Sequence, residues 1–369
     1  MAPSIQNTKH FKVSKMLGEQ IRFLSVGEMI PTVAALKDQY QASQATITKA
    51  LDRLRQQGVV ERPPGKKRLV VAPFAVRPDF RVTLIRPLWC SPDYDAITNQ
   101  IYELGLQKNF AFAVHVFSSY NDLNLEQALH NSDAGIVIGN VNLNAQTVDA
   151  FRSFRKPIVF LREMPEKVNR DSIWVDDFAV GRLAAQHLLK LGHERILIML
   201  SEPPNPSMSM RMQGWRSAME KAGVEHVAAL VCDCSVPPGR DAVSGSYDRF
   251  SSWLDGGAHS FTAVFCVAWT GALAVLRALR ERGIRVPEDV SAIAFSGESS
   301  LCEFTSPPLT TLEIDLHTYM NEAVRLIAKN IEPQVEGYRP ENIRLKPFLV
   351  ERQSTARPLP GMGVHAPRW

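Results

Sequence analysis

Residues 41–60 read QASQATITKALDRLRQQGVV, and this stretch predicts a single amphipathic helix. Ser43 is of the residue type that accepts a hydrogen bond from the first turn of a helix, and Gly58 is of the type that ends one. Between them, apolar residues recur at the i, i+3, i+4, i+7 spacing that places side chains on one helix face. These positions are Ile47, Ala50, Leu51 and Leu54. The helix is therefore expected to bury one face and to expose a polar first turn.

The flanking segments predict a second helix and a basic hairpin. Pro31-Thr32 can begin a helix that runs to Tyr40, and about three residues then separate it from the next helix, which is helix-turn-helix spacing. After Gly58, two short apolar segments flank the turn PPGKKR at 63–68. An apolar segment, a tight turn and another apolar segment predict a β-hairpin, here with a basic tip.

Charge is distributed unevenly along the 369 residues. The formal net charge is +4, yet residues 1–75 hold 12 Lys and Arg against 5 Asp and Glu, so the remainder is slightly acidic. A basic segment of this kind is the electrostatic mark of a surface that meets phosphate backbones. We therefore expect DNA binding in residues 1–75. The alternative is that residues 41–58 form a packed helical hairpin within an enzyme.

From Phe11 to Val71 the layout resembles the winged helix-turn-helix of the GntR family of bacterial regulators. The matching residues are Pro31, Leu36, Ser43, Thr46, Ala50-Leu51, Leu54, Gly58 and Gly65. Gln44 and Thr48 stand where the family commonly has arginine, so this chain has fewer charge-assisted contacts to offer base edges. The resemblance implies a DNA-binding head, but the operator sequence does not follow from it.

The predicted DNA-binding surface combines base-reading and phosphate-contacting side chains. Gln44, Thr46 and Thr48 are expected to read base edges in the major groove. The remaining predicted contacts, which include the backbone or groove contacts of the basic hairpin, are Thr32, Ser43, Lys49, Arg55, Gly65, Lys66, Lys67 and Arg68.

After a Pro-punctuated link, the pattern changes to short apolar runs that alternate with helical segments. The runs are VTLI at 82, FAVHVF at 112, AGIVIG at 134, PIVFL at 157, ILIML at 196, LVC at 230, TAVFCV at 262 and VSAIAF at 290. Strands that alternate with helices predict parallel sheets covered by helices on both faces. A segment of this length suits two doubly wound lobes, with a ligand between them at the carboxyl ends of the strands.

This second segment resembles the effector domain of the LacI/GalR family, a relative of periplasmic sugar-binding proteins. The matching marks are Asp177, Leu191-Gly192-His193, Arg211 to Trp215, Gly283 to Ser291, and Pro307 to Thr311. His193 follows a glycine that ends a helix, so we expect it to have a structural role rather than a ligand-binding one.

The predicted fold is α/β, a winged helix-turn-helix followed by a two-lobed, periplasmic-binding-protein-like domain of doubly wound parallel sheets. The predicted boundaries are a head at 1–75, a linker at 76–80, an effector-binding body at 81–355 and a flexible tail at 356–369. Lobe 1 is expected at about 81–175 and 312–338. Lobe 2 is expected at about 176–311 and 339–355.

The resemblance also implies an effector pocket. Arg211 is implied to grip a sugar hydroxyl or an effector carboxylate, and Arg162, at the end of the PIVFL run, is a second candidate. Trp89 or Trp269 could stack on a pyranose face. Ala268-Trp269 and Ser296 replace polar or acidic residues of the family. Three alternatives stay open: a neutral sugar, an anionic effector in a carboxylate-free pocket with both arginines, or no effector at all.

No metal, other cofactor or membrane association is expected. The five cysteines, one pair of which is Cys232 and Cys234, lie in or beside apolar runs, and no second Cys/His pair accompanies that pair at ligand spacing. The N-terminus lacks the apolar segment of a secretory signal, and no stretch approaches the ~18 apolar residues of a membrane span. A cytoplasmic location is therefore expected.

These features together predict a ligand-responsive transcriptional regulator, with an arrangement that resembles the arabinose-repressor subgroup of the GntR family. We expect a homodimer that binds a double-stranded DNA operator and represses carbohydrate-utilisation genes. The alternative is a cytoplasmic sugar-active enzyme, or a sugar-binding protein without DNA function. The sequence lacks the G-x-S-x-G, G-x-G-x-x-G, P-loop and H-E-x-x-H motifs, so no enzymatic activity is expected.

Overall fold

A computed structural model of the chain describes residues 9–21, 24, 27–56, 58–72, 80–88, 92–119, 123–139, 144–162, 168–237, 240–257, 260–297, 300–331, 338–360 and 363–364. The chain divides into two compact units, named here the head and the body. The head is Met1–Asp79 with Lys108–Ala111, and the body is Phe80–Gln107 with Phe112–Trp369. Residues 76–79 of the predicted linker and the candidate Trp89 lie outside the described residues.

The head is built from helices that precede a short hairpin. Its elements are α1 (Lys9–Ile21), α2 (Val33–Tyr40), α3 (Gln44–Gln56), β1 (Val60–Glu61) and β2 (Val70–Val71). The Thr32 hydroxyl caps α2 by accepting a hydrogen bond from the Ala35 N–H at 3.2 Å, and Gln41 ends that helix in the left-handed conformation, with φ 45°. Two helices thus meet across a tight turn, as the sequence predicts.

The apolar stripe of α3 forms the centre of the head. Ile47, Ala50, Leu51 and Leu54 are all buried, and they pack with Leu17 of α1, Leu36 of α2 and Val60 of β1. The Ser43 hydroxyl accepts from the N–H of Thr46 at 3.2 Å and so caps the helix. Gly58 has φ 71°, a conformation that side chains with a Cβ rarely adopt. The predicted helix, its cap and its terminating glycine are confirmed.

The hairpin is the predicted wing, and its second strand is paired on both sides. Val60 pairs with Val71 in an antiparallel ladder. On the other side, Met29 forms a bridge with Val70, and the N–H of Ile30 donates to the carbonyl of Leu69 at 2.9 Å. The strand that leads back from the basic tip is therefore held between two neighbours.

Two sheets organise the described part of the body. The strands of the first are β3 (Arg81–Pro87), β4 (Ala111–Phe117), β5 (Ala134–Ile138), β6 (Ile158–Leu161), β7 (Asp171–Val175) and β13 (Asn342–Leu345). The strands of the second are β8 (Ile196–Leu200), β9 (Val231–Asp233), β10 (Ala263–Cys266), β11 (Ser291–Gly297), β12 (Thr310–Glu313) and β14 (Phe348–Val350). Their orders are β13-β7-β6-β5-β3-β4 and β14-β12-β11-β10-β8-β9.

Helices connect most of these strands, which is the arrangement that parallel pairing requires. The helices of the body are α4 (Pro92–Lys108), α5 (Leu125–Ala128), α6 (Ala145–Ser153), α7 (Asp177–Leu191), α8 (Pro206–Lys221), α9 (Ala242–Asp255), α10 (Trp269–Glu281) and α11 (Leu316–Ile331). The β5–β6 and β10–β11 pairs, for example, are parallel. Each sheet with its helices is one lobe, so the predicted doubly wound architecture is confirmed.

The position of β13 corrects the predicted lobe boundary. Residues 339–355 were assigned by sequence to the second lobe, whereas β13 pairs in parallel with β7 of the first sheet, with Asn342 opposite Ser172. The N–H of Glu341 also donates to the Asp171 carboxylate at 2.7 Å. The chain therefore returns to the second lobe after Leu345. Likewise, β12 stays in the second sheet through Glu313, beyond the predicted boundary at 311.

The prediction of a flexible tail from Ala356 is wrong for the described residues of that segment. Val364 exchanges two backbone hydrogen bonds with Phe261, of 2.9 and 3.0 Å. The Ala356 carbonyl accepts from the Nε2–H of His193 at 2.9 Å, and its N–H donates to the Ser291 hydroxyl at 3.0 Å. Backbone hydrogen bonds to the second lobe therefore hold this proline-rich segment in place.

His193 has the structural role that the sequence predicts. Because Nε2 donates to Ala356, its other ring nitrogen, Nδ1, accepts from the Thr262 hydroxyl at 2.9 Å. The ring is 2% exposed, and burial lowers its pKa below the ordinary value of 6.5. Burial also lowers the pKa of His187, whose Nε2 contacts the Thr355 hydroxyl at 3.1 Å. The two histidine rings thus hold Thr355 and Ala356, where the predicted tail begins.

The free energy of unfolding of the body is expected to fall as the pH falls below about 6.5. In that range the histidines of the unfolded chain bind protons, whereas the same histidines in the folded protein bind fewer because their pKa is lowered. Protonation therefore favours the unfolded state. Urea unfolding at pH 7.5 and 5.5 measures this loss, and a His193→Gln variant should lose less stability between the two values. Equal losses in the wild type and the variant would contradict the assignment.

The described residues contain no helix that is both long and apolar enough to cross a membrane. They also contain no group of three or more His, Cys, Asp or Glu side chains that could hold a metal ion. Cys232 and Cys234 are buried free thiols.

Candidate nucleic-acid interface and ligand cleft

One side of α3 is exposed and polar. Gln44 and Thr48 lie one turn apart on this side with Lys49, and all three side chains are exposed. Thr46 is half-buried, and its hydroxyl lies 2.9 Å from the Ser43 hydroxyl, so both groups already serve the helix cap. Gln44 and Thr48 are therefore the predicted base readers that the structure leaves free to turn toward a partner.

A groove of about 380 Å³ separates α3 from the wing, and its lining is rich in positive charge. The arginine and lysine side chains that line it are Arg55, Arg62, Lys67 and Arg68. Thr32, Thr48 and Asp52 also contribute to its walls. The structure thus brings Thr32 at the start of α2, the predicted reading helix and the predicted wing residues to one surface.

The basic residues of this surface differ in how they are held. Arg55 is 3.4 Å from Asp52, and Arg68 donates to the Ile30 carbonyl at 3.0 Å, so Arg68 anchors the wing as well as charging it. Lys66 and Lys67 are exposed beside Gly65, whose φ is 76°. Within the described residues, neither lysine forms an ion pair.

Arg62 is a member of this surface that the sequence reasoning missed. It is exposed and follows β1 directly, and it lines the groove with Lys67. The predicted hairpin could have indicated Arg62, because this residue lies between the first strand and the basic turn at 63–68.

The body has its own cluster of charged and polar side chains, at the carboxyl ends of the strands. Arg162 follows β6, Glu202 follows Ser201 at the end of β8, and Trp269 begins α10 after β10. Ser296 lies near the end of β11. In doubly wound sheets the ligand lies at this edge, so the cluster is the candidate ligand cleft.

Asp93 connects the two lobes across the cleft. Its carboxylate accepts a hydrogen bond from Arg162 Nη2 at 3.0 Å, within the first lobe. Its other oxygen accepts from the indole Nε1–H of Trp269 at 3.1 Å, in the second lobe. The lobes are therefore in contact through Asp93, and the cleft is closed at this point.

Two glycines place Arg211 in the cleft. A Cβ added to Gly181 of α7 would lie 1.8 Å from the Arg211 carbonyl oxygen, and one added to Gly214 of α8 would lie 2.0 Å from the Phe178 carbonyl oxygen. Only helices without side chains at these positions can approach so closely. The Arg-x-x-Gly-Trp motif thus has a packing basis, and it sets Arg211 beside Asp177.

Arg211 is 5% exposed and is held by an ion pair, a backbone hydrogen bond and an aromatic ring. Its Nε donates to Asp177 Oδ1 at 2.7 Å, and its Nη1 donates to the Val267 carbonyl at 2.6 Å. The guanidinium also lies 4.0 Å above the centre of the Phe295 ring. A ligand would therefore meet a side chain that is held in place by two hydrogen bonds and an aromatic contact, with donors of its guanidinium group still available.

The structure contradicts the alternative of a carboxylate-free pocket. Arg162 is paired with Asp93, and Arg211 is paired with Asp177. Glu202 also interacts electrostatically with both arginines. Because carboxylates neutralise the arginines, the argument from the sequence for an anionic effector fails.

The other predicted pocket residues have different environments. Trp269 is 4% exposed, so its ring forms part of the closed wall and has little free face for stacking. Ser296 is fully buried, and its hydroxyl has no hydrogen-bond partner among the described residues. Trp89 lies outside those residues.

Sequence reasoning missed Asp93 and Glu202. Asp93 stands in the first turn of α4, in the connection that follows β3, and Glu202 stands two residues after β8. Both residues come just after a parallel strand, and this position in the sequence indicates a place at the ligand edge of the sheet. That Asp93 would face a tryptophan 176 residues away depended on tertiary structure.

Two segments of the chain match known protein families. Residues 12–70 match the model of the bacterial regulatory proteins of the gntR family. Residues 185–355 match the periplasmic binding protein-like domain. The first match covers most of the helices and wing of the head, and the second covers the C-terminal part of α7 and the strands of the second lobe.

Curated relatives are transcriptional regulators by name. The HTH-type transcriptional regulator DegA of Bacillus subtilis (strain 168) is 31% identical over 202 residues, which are 54% of this chain and 56% of DegA. The HTH-type transcriptional repressor PurR of Haemophilus influenzae (strain PittEE) is 28% identical over 221 residues, 60% of this chain and 64% of PurR. The chain thus spans somewhat more than half the length of these relatives.

Solved structures have the fold of the body. A LacI family transcriptional regulator from Enterococcus faecium with bound ribose matches with a TM-score of 0.65 and 24% identity, over 75% of this chain and 99% of that one. A regulator CCPA from Weissella paramesenteroides with bound sucrose matches with a TM-score of 0.62 and 17% identity, over 75% and 99%. The chain therefore joins a DNA-binding domain of the bacterial gntR type to a periplasmic-binding-protein-like domain with the fold of LacI-family regulators.

Proposed function

We propose that the protein is a ligand-responsive, DNA-binding regulator of transcription. The observation that carries this proposal is the head, where the exposed polar side of α3 borders a groove lined by Arg55, Arg62, Lys67 and Arg68. The gntR match over residues 12–70 and the names of the relatives support it. A regulator of this kind acts where the DNA lies, which agrees with the predicted cytoplasmic location.

In this proposal α3 enters the major groove of duplex DNA. Gln44 and Thr48 hydrogen-bond to base edges, with glutamine favouring adenine. The N-terminus of α2 at Thr32, together with Lys49 and the wing lysines, contacts phosphates and fixes the register of the helix. Sequence is thus read by few side chains, and much of the affinity comes from charge.

The ligand acts by changing the relation of the two lobes. Asp93 and Trp269 form one hydrogen bond across the cleft. A ligand that binds there would therefore either preserve this hydrogen bond or break it. Such a ligand shifts the protein between arrangements only through its unequal affinity for them. The ribose and sucrose bound to structural neighbours support a sugar-like effector, and with it the regulation of carbohydrate genes, as a repressor.

Selection of duplexes from a random-sequence library by the full-length protein tests this function. The expected result is one enriched motif, repeated as two half-sites related by a two-fold axis. A pool that binds but shows no enriched motif would contradict the proposed base readers. A pool that is not retained at low salt would contradict DNA binding itself.

The half-sites require two copies of the head, and we propose that the first lobe forms the dimer contact. Tyr102 and Leu106 are 56% and 70% exposed and lie one turn apart on α4. Val114 and Val116 are exposed on β4, which stands at the end of its sheet. Exposed apolar side chains near a free sheet edge are typical of a surface covered by another chain.

A Leu106→Glu substitution is expected to convert the dimer into a monomer, because it places a charge in an apolar contact. Sedimentation equilibrium of the full-length protein measures the mass in solution. Gln213→Glu, at an exposed position on α8, is the matched control and should leave the dimer intact. A monomeric wild type, or a dimer unaffected by Leu106→Glu, would contradict this interface.

A further inference from the structure

One carboxylate of the cleft is unpaired in the part of the chain that the structure describes, and this bears on the class of ligand. Among those residues, the guanidinium groups of Arg162 and Arg211 interact with the carboxylates of Asp93, Asp177 and Glu202. Asp93 pairs with Arg162 at 3.0 Å, and Asp177 pairs with Arg211 at 2.7 Å. The third carboxylate, that of Glu202, has no ion-pair partner among the described residues.

Glu202 is half-buried and follows β8 at the ligand edge of the second sheet. It interacts electrostatically with Arg211, Arg162, Asp93 and Asp177, and its burial raises its pKa above the ordinary value of 4.5. Within the described residues it makes neither a hydrogen bond nor an ion pair. An ionised carboxylate that burial partly shields from water is unfavourable without a partner, so a cationic group beside Glu202 would be stabilised there.

Buried hydroxyl groups without partners accompany this carboxylate. The Oγ atoms of Ser201 and Ser296 and the Oγ1 atom of Thr270 are buried and have no hydrogen-bond partner among the described residues. Ser201 directly precedes Glu202, Thr270 stands in the first turn of α10, and Ser296 lies near the end of β11. All three thus belong to the edge of the second sheet where the ligand is expected. Buried polar groups are normally paired, and hydroxyl groups of a ligand could provide the missing partners.

Resting on the proposed function, we propose that the effector is a small polyhydroxylated molecule that carries a protonated amine, such as an amino sugar. Glu202 receives the ammonium group, and the hydroxyl groups at the second-sheet edge bind the hydroxyl groups of the ligand. An anionic ligand is disfavoured because each arginine already has a carboxylate partner. A neutral sugar would bind the hydroxyl groups but would leave Glu202 without a counter-charge.

Thermal stabilisation of the full-length protein by matched sugars tests this assignment. Each set contains an amino sugar, its parent sugar and the corresponding sugar acid and sugar phosphate, in the glucose, galactose and mannose series. At least one amino sugar is expected to bind about tenfold or more tightly than its parent sugar. A close charge pair contributes a binding free energy of at least this order. Stabilisation at several concentrations gives each Kd.

The Glu202→Gln variant provides the second measurement. It removes the charge while keeping the size of the side chain, and it should fold normally because it takes away an unpaired carboxylate. The preference for the amine over the parent should disappear in this variant. Glu225→Gln, an exposed position in the same lobe, is the control and should keep the preference.

Stronger stabilisation by the parent sugar, the acid or the phosphate would overturn the proposal, as would the absence of stabilisation by every amine. An amine preference that persists in Glu202→Gln would overturn it too. Binding of the same preparation to its selected duplex separates the two claims. A protein that binds DNA but shows no amine preference contradicts only the ligand class, whereas one that binds no DNA contradicts the proposed function.

Discussion

Replacing Lys66 and Lys67 together with alanine is expected to weaken the binding of every duplex by a similar factor, on the order of 10- to 100-fold near 0.1 M salt. Both side chains are exposed at the wing tip, where they neutralise phosphates and release counterions. Each such contact contributes about 0.9 to the slope of log affinity against log salt. The double variant should therefore lower the magnitude of that slope by roughly 1.8, as measured by fluorescence anisotropy at several salt concentrations.

The matched comparison is Gln44→Ala, which removes a base-reading side chain and no charge. This variant should change which sequence the protein prefers and leave the salt slope unaltered. If Gln44→Ala keeps the wild-type preference at equal salt, the placement of α3 in the major groove is wrong. If the lysine variant changes preference rather than overall affinity, the assignment of the wing to phosphates is wrong.

The second large effect is expected at Arg211. An Arg211→Met substitution keeps much of the volume of the side chain but leaves the Asp177 carboxylate buried without its partner. Breaking one side of a buried ion pair typically costs about 3–5 kcal/mol, so the free energy of unfolding of the body should fall by that order. Urea unfolding followed by circular dichroism measures the loss, with Arg216→Met on the exposed side of α8 as the control.

A double variant separates the charge from the packing. Adding Asp177→Asn to Arg211→Met removes the stranded carboxylate, and the double variant should recover part of the lost stability. A loss of less than about 1 kcal/mol in Arg211→Met would contradict the rigid buried pair. A double variant less stable than either single variant would indicate that packing, rather than charge, dominates.

The head could be predicted from the sequence almost element by element. The stripe of Ile47, Ala50, Leu51 and Leu54 repeats at the period of a helix, and Ser43 and Gly58 mark its two ends through local hydrogen bonding and backbone conformation. Such signals act over a few residues, so they survive in a single sequence. Arg62 was missed because no local pattern distinguishes a groove-lining charge from a solvated one.

The boundary between the lobes could be predicted only in part. β13 has the sequence NIRL and alternates exposed with half-buried residues, so it lacks the continuous apolar run by which buried parallel strands are recognised. The tail was predicted as mobile from its proline and glycine content. It is held instead by backbone hydrogen bonds to Phe261, Ser291 and His193, which composition does not reveal.

In the cleft, too, single residues could be predicted from the sequence, whereas their partners from distant parts of the chain could not. Arg211 could be placed in it because it lies in a segment that resembles known effector domains, and Arg162 because it follows a predicted strand. Their carboxylate partners could not be predicted, because Asp93 and Asp177 lie 69 and 34 residues away in sequence. The pairing with these partners removes the basis of the anionic alternative, which supposed a pocket without carboxylates.

Sequence-specific DNA binding is the central claim, and one affinity comparison tests it most directly. The full-length protein is titrated with the duplex selected from the random library and with a scrambled duplex of equal length and composition, at one salt concentration. The selected duplex is expected to bind at least about 1,000-fold more tightly. Equal affinities for the two duplexes would contradict the account, because the head would then bind DNA through charge alone.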